Sequence, residues 1–221
     1  LSLSFSAYSQ HSENHDHNHH QKEEPMINDQ TFSVMSKEHS DEFASLLVQD
    51  FKGRIVPAHT VCDELLRKIY GKNKYKEYNA VQTIVSMHMF PMYWGKQEII
   101  SVPMAVRERL NLEKYASPVS LMDEEGNFKW IDQYNIAHQK LESKRSEFDK
   151  KLIKLVERFQ VVNSIVSWQY MKILPLSGDP NNTWYLPFSQ NITLKDSAST
   201  TLAMNYFKSL FKAMDTKKYG M

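Results

Sequence analysis

Residues 46–71 read LLVQDFKGRIVPAHTVCDELLRKIYG, and this stretch decides the fold. Two short apolar runs flank the corner Phe51-Lys52-Gly53, where glycine can adopt the positive φ that a tight turn often needs. The pattern predicts a small β-hairpin whose second strand ends at Pro57.

A helix is predicted directly after the hairpin. Thr60 and Asp63 have a spacing like that of a capping box, in which a hydroxyl and a carboxylate stabilise the helix start by about 1 kcal/mol. Gly71 is the expected end of the helix, because glycine readily takes the left-handed conformation of a C-cap. Apolar residues recur at every fourth position, so they share one face and are expected to be buried: Val61, Leu65 and Ile69.

The next segment predicts a second helix and two shorter elements. The second helix is expected to begin at Asn79 and to end before Pro91. The crowded Met92-Tyr93-Trp94 is expected in a loop that packs on the core. A short strand over residues 98–102 and a helix over residues 103–110 follow.

Between Asn127 and Leu174 the chain contains neither glycine nor proline. Apolar residues recur there at steps of three and four, which predicts a helix of about 30 residues that ends at Pro175. The charged residues 142–146 leave two arrangements open, one long helix or a helical hairpin bent at that point. These patterns together predict a mainly α-helical domain with a small β-hairpin or short strands near its start.

The composition excludes several classes of function. The 221 residues carry a net charge of +1, which removes the usual electrostatic case for binding nucleic acid. Cys62 is the single cysteine, so the chain has no internal disulfide, no thioredoxin-type redox motif and no c-type haem attachment motif. No window has the ~20 mostly apolar residues that a membrane-spanning helix needs.

Residues 1–40 are expected to precede the folded domain, which spans residues 41–221. Residues 1–9 resemble the end of a signal or membrane segment, and residues 10–40 are too polar to offset the entropy of ordering, so we predict a disordered leader. The leader holds candidate ligands for a divalent ion such as Zn, Cu or Ni: His15, His17, His19 and His20. The alternative interpretation is a solvated linker whose histidines bind nothing.

A second stretch, GDPNNTWY at residues 178–185, completes a resemblance to a known family. With residues 47–57 (LVQDFKGRIVP), Thr60 and residues 64–69 (ELLRKI), it resembles the extracytoplasmic domain of fused cytochrome c biogenesis proteins. These are the system II proteins of the ResB/CcsA type, in the form found in Bacteroidetes-like bacteria. The resemblance runs in order over approximately residues 41–218.

The resemblance implies a setting rather than a catalytic site. The family assembles c-type cytochromes: its membrane helices move haem outward and join it to the thiols of apocytochrome c. Its Trp-rich WWD segment has no counterpart here, so no catalytic residue carries over. The chain is therefore expected to be an accessory or scaffold part of a larger haem lyase, on the periplasmic face of the bacterial inner membrane. Its implied partners are the transmembrane haem-handling part of the same protein and apocytochrome c, with haem as the cofactor of the parent protein.

Two further groups of residues invite a chemical interpretation. Cys62 near a helix start and His59 three residues before it resemble a nucleophile and a base, but the adjacent Asp63 opposes thiolate formation, so a structural role is expected. Contact of this chain with haem is a separate hypothesis that rests on Met87, His88, Met89 and Trp94. A lone histidine on an apolar face is more often a hydrogen-bonded core residue, and this is the role expected of His88.

Overall fold

The computed structural model describes residues 32–175 and 183–186, together with residues 201, 204, 205 and 208. Over these residues the fold is mainly α-helical with short antiparallel strand pairs, which confirms the predicted fold class. The helices are α1 (Lys37–Ala44), α2 (Ala58–Tyr70), α3 (Ala80–Met89), α4 (Pro91–Gly95), α5 (Met104–Leu110), α6 (Ile131–Gln139) and α7 (Glu147–Val166). The strands are β1 (Leu47–Gln49), β2 (Ile55–Pro57), β3 (Lys74–Tyr75), β4 (Tyr78–Asn79), β5 (Ile100–Ser101), β6 (Tyr115–Ala116), β7 (Leu174–Pro175) and β8 (Trp184–Tyr185).

The predicted hairpin is confirmed as β1 and β2. The two strands pair antiparallel with Val48 opposite Val56, and the second strand ends at Pro57. Gly53 closes the corner with a φ of 79°, a conformation that costs glycine little because it has no Cβ.

Helix α2 follows the hairpin without an intervening loop. It begins at Ala58, and the residue before it, Pro57, makes no side-chain cap. The predicted capping box of Thr60 and Asp63 is therefore wrong: the strand runs straight into the helix, which places Thr60 already inside the first turn. The predicted end is confirmed, since Gly71 is the left-handed C-cap with a φ of 83°. The predicted apolar face is buried in the core: Val61, Leu65 and Ile69.

Helix α3 has the start that its sequence predicts. The Asn79 side chain accepts a hydrogen bond from the Gln82 amide at 2.8 Å, and the Gln82 side chain accepts one from the Asn79 amide at 3.0 Å. This reciprocal cap satisfies two of the amides that a helix start leaves unpaired. The segment after Pro91 differs from the prediction, because residues 92–94 lie in the short helix α4 and not in a loop.

The long run without glycine or proline folds as a helical hairpin. Helix α6 ends at Gln139, a short 3-10 helix covers Glu142–Lys144, and α7 begins at Glu147, so the single long helix is wrong and the bent alternative is confirmed. Ser146 and Asp149 form a capping box, and Lys140 Nζ lies 2.8 Å from the Asp149 carboxylate. The hydrogen bond from Lys140, with those from Ser146, lowers the pKa of Asp149 to about 2 although burial opposes the shift.

Helix α7 is the central element of the core. It packs against α2, α3, α5 and α6, and it ends at Val166 rather than at the predicted Pro175. Arg158 on α7 donates to the Lys68 carbonyl at the end of α2, at 3.0 Å, and to the Ser101 carbonyl on β5. The apolar side chains that α7 buries are Leu152, Leu155, Val156, Phe159, Val162, Ile165 and Val166.

Among the residues described, none of the helices combines the length and the apolar character that crossing a bilayer requires.

Candidate functional site

The structure brings the described end of the second stretch, Trp184 and Tyr185, next to the first stretch. Gln49 on β1 lies at the centre of their contact: its amide donates to the Lys172 carbonyl at 2.9 Å. Its side-chain Nε2 donates to the Gly53 carbonyl at 3.2 Å, and its Oε1 accepts from the Trp184 amide at 2.9 Å. We call Gln49, Lys172 and Trp184 the motif junction.

Strand pairing completes the motif junction on the side of Trp184. Leu174 lies opposite Tyr185 and Pro175 opposite Trp184 in the antiparallel pair of β7 and β8. The Ile173 amide donates to the Tyr185 carbonyl at 3.1 Å. Because Lys172 lies two residues before β7 and also pairs with Gln49 on β1, the hairpin, β7 and β8 form one continuous hydrogen-bonded unit.

The corner of the hairpin is held by a buried carboxylate. Asp50 is 1% exposed, and one of its oxygens accepts from the amides of Lys52 and Arg54, each at 2.9 Å. Its other oxygen accepts from Arg54 Nε at 2.8 Å and Nη2 at 2.7 Å. Burial by itself would raise the pKa of Asp50, but the hydrogen bonds from Arg54 and Lys52 outweigh burial and lower it. The carboxylate is therefore ionised at neutral pH and holds the turn rigidly.

Four large apolar side chains are exposed between the base of the hairpin and its corner. Large side chains that a globular protein usually buries are exposed there, and we call them the hairpin patch: Leu46 (47% exposed), Leu47 (56%), Phe51 (65%) and Ile55 (43%). Exposed apolar residues scattered singly need no explanation, but a group of this kind often marks an interaction surface.

His88 lies in the core, close to the point where the chain leaves α7. Its ring packs against those of Trp168 and Tyr170, and Trp168 takes a left-handed φ of 61°, which is unusual for a residue other than glycine. Burial lowers the pKa of His88 well below its ordinary value, against the opposite effect of a hydrogen bond to the backbone of Ile165. Nδ1 of this ring is buried without a hydrogen-bond partner among the described residues.

The residues of the haem hypothesis are mostly inaccessible from outside. Met87, His88 and Trp94 are all buried, and Met89 is half-buried. A haem that used His88 as an axial ligand would first have to displace Trp168 and Tyr170 from their contacts with its ring.

Cys62 and His59 lie in different surroundings. Cys62 is fully buried, and burial together with the charge of Asp63 raises the pKa of its thiol, which opposes the thiolate that a nucleophile requires. His59 is exposed, with Nδ1 3.4 Å from the Ala44 carbonyl. The burial of Cys62 and the exposure of His59 give no support to a nucleophile and base pair at this position.

The predicted metal ligands His15, His17, His19 and His20 lie outside the described residues, as do residues 178–182 of the second motif. Within the part of the chain that the structure describes, no group of three or more His, Cys, Asp or Glu side chains could hold a metal ion.

Similarity to a known protein covers about two thirds of the chain. No family model matches the chain. The chain is similar to NrfI of Wolinella succinogenes. The two are 27% identical over 152 residues, which is 67% of this chain and 17% of NrfI. The matched segment thus corresponds to a small part of a much longer protein.

Sequence reasoning missed Gln49 as the centre of the site. A polar residue at the end of a hairpin strand looks like an ordinary solvent-facing position. Its 5% exposure was the one signal of a buried role, and that signal exists only in the folded chain.

Proposed function

We propose that this chain is the extracytoplasmic accessory part of a membrane cytochrome c synthase of the system II type. In this role it supports haem delivery and the covalent attachment of haem to apocytochrome c. The similarity to NrfI carries the proposal, because it supports a role in cytochrome c maturation and covers two thirds of the chain. The family resemblance of residues 47–57 and 178–185 points to the same function.

The geometry of the motif junction favours a scaffold over a catalyst. Its hydrogen bonds are those of backbone amides and carbonyls and of the neutral Gln49 side chain, which supply no general base or nucleophile. Such a junction can hold the hairpin in a fixed orientation on the helical body. We therefore place the haem chemistry in the transmembrane part of the same polypeptide, on the periplasmic face of the inner membrane, with apocytochrome c as the partner.

Gln49→Leu in the complete polypeptide tests this role. The substitution removes the side-chain hydrogen bonds of Gln49 to the Gly53 carbonyl and from the Trp184 amide, which weakens the attachment of β8 to β1. We expect the yield of covalently haem-stained cytochrome c to fall several-fold in a host that depends on this protein, while immunoblotting finds the polypeptide at its normal level.

Gln133→Leu is the matched control, because Gln133 is exposed on α6, away from the motif junction. Cytochrome c yield is expected to stay normal in this variant. Equal yields of cytochrome c in Gln49→Leu, Gln133→Leu and the unmodified protein would contradict a scaffold role of the motif junction.

A second candidate function is a periplasmic metal-binding module formed by the His-rich leader. Four histidines within six residues favour it: His15, His17, His19 and His20. Isothermal titration with Zn, Cu and Ni salts is expected to detect a site in the full chain that is lost when these four are changed to alanine. His138→Ala, on the exposed side of α6, is the control and should leave binding intact. Unchanged binding in the fourfold variant would eliminate this candidate.

A further inference from the structure

Exposed lysines lie around a cluster of tyrosine rings that three separate elements bring together. The ring of Tyr70, the last residue of α2, has its centre 4.6 Å from that of Tyr115 on β6 and 5.1 Å from that of Tyr75 on β3. An ammonium lies 5.3 to 5.7 Å from the centre of each ring. We call the half-buried Tyr70 and Tyr115, with the exposed lysines beside this cluster, the lysine-tyrosine surface; these lysines are Lys72, Lys74, Lys76 and Lys114.

The described neighbours do not neutralise these four lysines. In the part of the chain that the structure describes, the lysines that form ion pairs are Lys68, Lys140 and Lys151. Exposed carboxylates do occur close to the surface, but they form no ion pair with the four lysines: Glu77, Glu98 and Glu113. The lysine-tyrosine surface therefore has free capacity to bind carboxylates.

Lys76 occupies a position that favours other residues. It lies in the two-residue turn between β3 and β4, where Tyr75 is opposite Tyr78, and its φ is 52°. Asparagine or glycine adopts this left-handed conformation more readily, and a lysine there costs about 1 kcal/mol. The strain is consistent with a use for the lysine charge that the fold itself does not require.

The start of the folded domain lies near this surface. The Phe32 ring stacks on that of Tyr93, with centres 3.6 Å apart, and its centre lies 6.1 Å from that of Trp94. Trp94 in turn lies 5.1 Å from Tyr75, centre to centre. Phe32 is thus separated from the lysine-tyrosine surface by a few packed rings, and the residues that precede it in the sequence are within reach of the lysines.

The segment at residues 23–29 has the chemistry that the surface would bind. Its sequence EEPMIND has carboxylates at both ends and two apolar residues, Met26 and Ile27, between them. It lies three to nine positions before Phe32, a length that spans up to ~30 Å when extended. Residues 10–31 as a whole carry five Asp or Glu and a single Lys, so their charge is opposite to that of the surface.

We propose that residues 23–29 dock on the lysine-tyrosine surface, with their carboxylates at the lysine ammoniums and Met26 and Ile27 against the tyrosine rings. A segment of the same chain suits this surface better than a separate partner, because exposed ion pairs are individually weak and a short tether gives an effective concentration of about 1 mM. The proposal is independent of the cytochrome role, since the docking involves neither cytochrome nor haem.

Paramagnetic broadening of amide signals measures the docking in the full chain. A nitroxide on Gln21→Cys is expected to broaden the backbone amide signals of residues 72–76 and of Lys114 in about 20 mM salt. The broadening should largely disappear in about 500 mM salt, because salt screens exposed charges. The native Cys62 is fully buried and does not take up the label in the folded protein.

Variants of the segment identify the carboxylates that dock. The double variant Glu23→Gln with Glu24→Gln is expected to lower the ratio of docked to free segment about fivefold, as expected for losing two exposed ion pairs. Glu13→Gln with Asp16→Asn removes the same charge from an earlier part of the chain and is the matched control. The broadening in this control should stay as in the unmodified sequence.

Variants of the surface identify the lysines that receive the segment. Lys72→Gln, Lys74→Gln and Lys76→Asn combined should remove the broadening without lowering the melting temperature, since all three side chains are exposed and asparagine suits the φ of position 76. The matched control removes three other exposed lysines and the same total charge, and it should keep the broadening: Lys144→Gln, Lys150→Gln and Lys154→Gln.

Three results would overturn the proposal. Equal broadening in the two double variants, or in the two triple variants, would show that the tether alone brings the nitroxide close to the surface. Broadening that is the same in low and high salt would exclude docking by ion pairs. Broadening of an unlabelled isotope-enriched chain by a separate nitroxide-labelled chain would identify a contact between two copies.

Discussion

Replacing Asp50 by alanine is expected to lower the free energy of unfolding by about 3 kcal/mol, because the change leaves two backbone amides and a guanidinium without their shared acceptor. The carboxylate accepts from the Lys52 and Arg54 amides and from the Arg54 side chain, and it is almost completely buried. Denaturant unfolding at pH 7, followed by circular dichroism, measures the loss. The free energy of unfolding of Asp50→Asn is expected to lie between those of the unmodified protein and Asp50→Ala, since its Oδ1 can still accept from the amides.

The pH dependence of this loss tests its cause. The folded-state pKa of Asp50 lies below the ordinary value of 3.8, so its contribution is fully present above about pH 4 and is lost as the pH falls through the folded pKa. The difference between the unmodified protein and Asp50→Ala should therefore shrink in acid.

Asp63→Ala is the control for the Asp50 variants. Asp63 is 38% exposed and faces Arg67 at 3.8 Å on the surface of α2, where an ion pair contributes at most about 0.5 kcal/mol. If the Asp50 and Asp63 variants lose equal stability, the hydrogen bonds of the Asp50 carboxylate contribute no more than a surface ion pair.

Replacing His88 by leucine is expected to make the protein more resistant to acid. Burial keeps His88 neutral in the folded chain, with a pKa well below the 6.5 of an unfolded histidine. Between pH 6.5 and the folded pKa the unfolded chain binds the additional proton, so stability falls by about 1.4 kcal/mol per pH unit. His88→Leu removes this dependence, and its unfolding free energy at pH 5 should exceed that of the unmodified protein.

At pH 7 the same substitution has a smaller effect. Leucine loses the hydrogen bond to the backbone of Ile165 but also removes the unpartnered Nδ1 from the core, so the two changes partly cancel. His138→Leu is the control, because an exposed ring on α6 stays hydrated in both states. The test is the free energy of unfolding measured at several pH values from 4.5 to 7.5. If it varies with pH in the same way for His88→Leu and the unmodified protein, His88 does not cause the loss of stability in acid.

The two predictions concern connected parts of the molecule. His88 packs on Trp168 and Tyr170, and the same segment continues to Lys172, whose carbonyl binds the Gln49 amide. Asp50 follows Gln49 directly. The end of α7 is thus joined to the hairpin through the turn at residues 167–168 and the short segment that leads to Lys172.

Local signals predicted most of the secondary structure. Gly53 and Gly71 with positive φ, the Asn79 cap and the four-residue apolar spacing of α2 act over a few residues, and each gave the element that it predicted. The predictions that were wrong concern helix limits, the Thr60–Asp63 capping box and the loop at residues 92–94, which belongs to helix α4. Whether residues 127–174 form one helix or two depends on how α6 packs against α7, and the start of α2 at Ala58 depends on the hairpin that precedes it.

The sequence by itself determined that the chain is mainly helical, that a hairpin leads into a helix with one buried face, and that two stretches resemble one family, because each of these is written in neighbouring residues. Only the tertiary structure decided that Gln49 meets Trp184, 135 positions later. That contact depends on how helices α2 to α7 pack together, and a local pattern of residues does not predict this packing. The burial of His88 and the exposure of the hairpin patch were decided in the same way, by what the rest of the fold covers and what it leaves open.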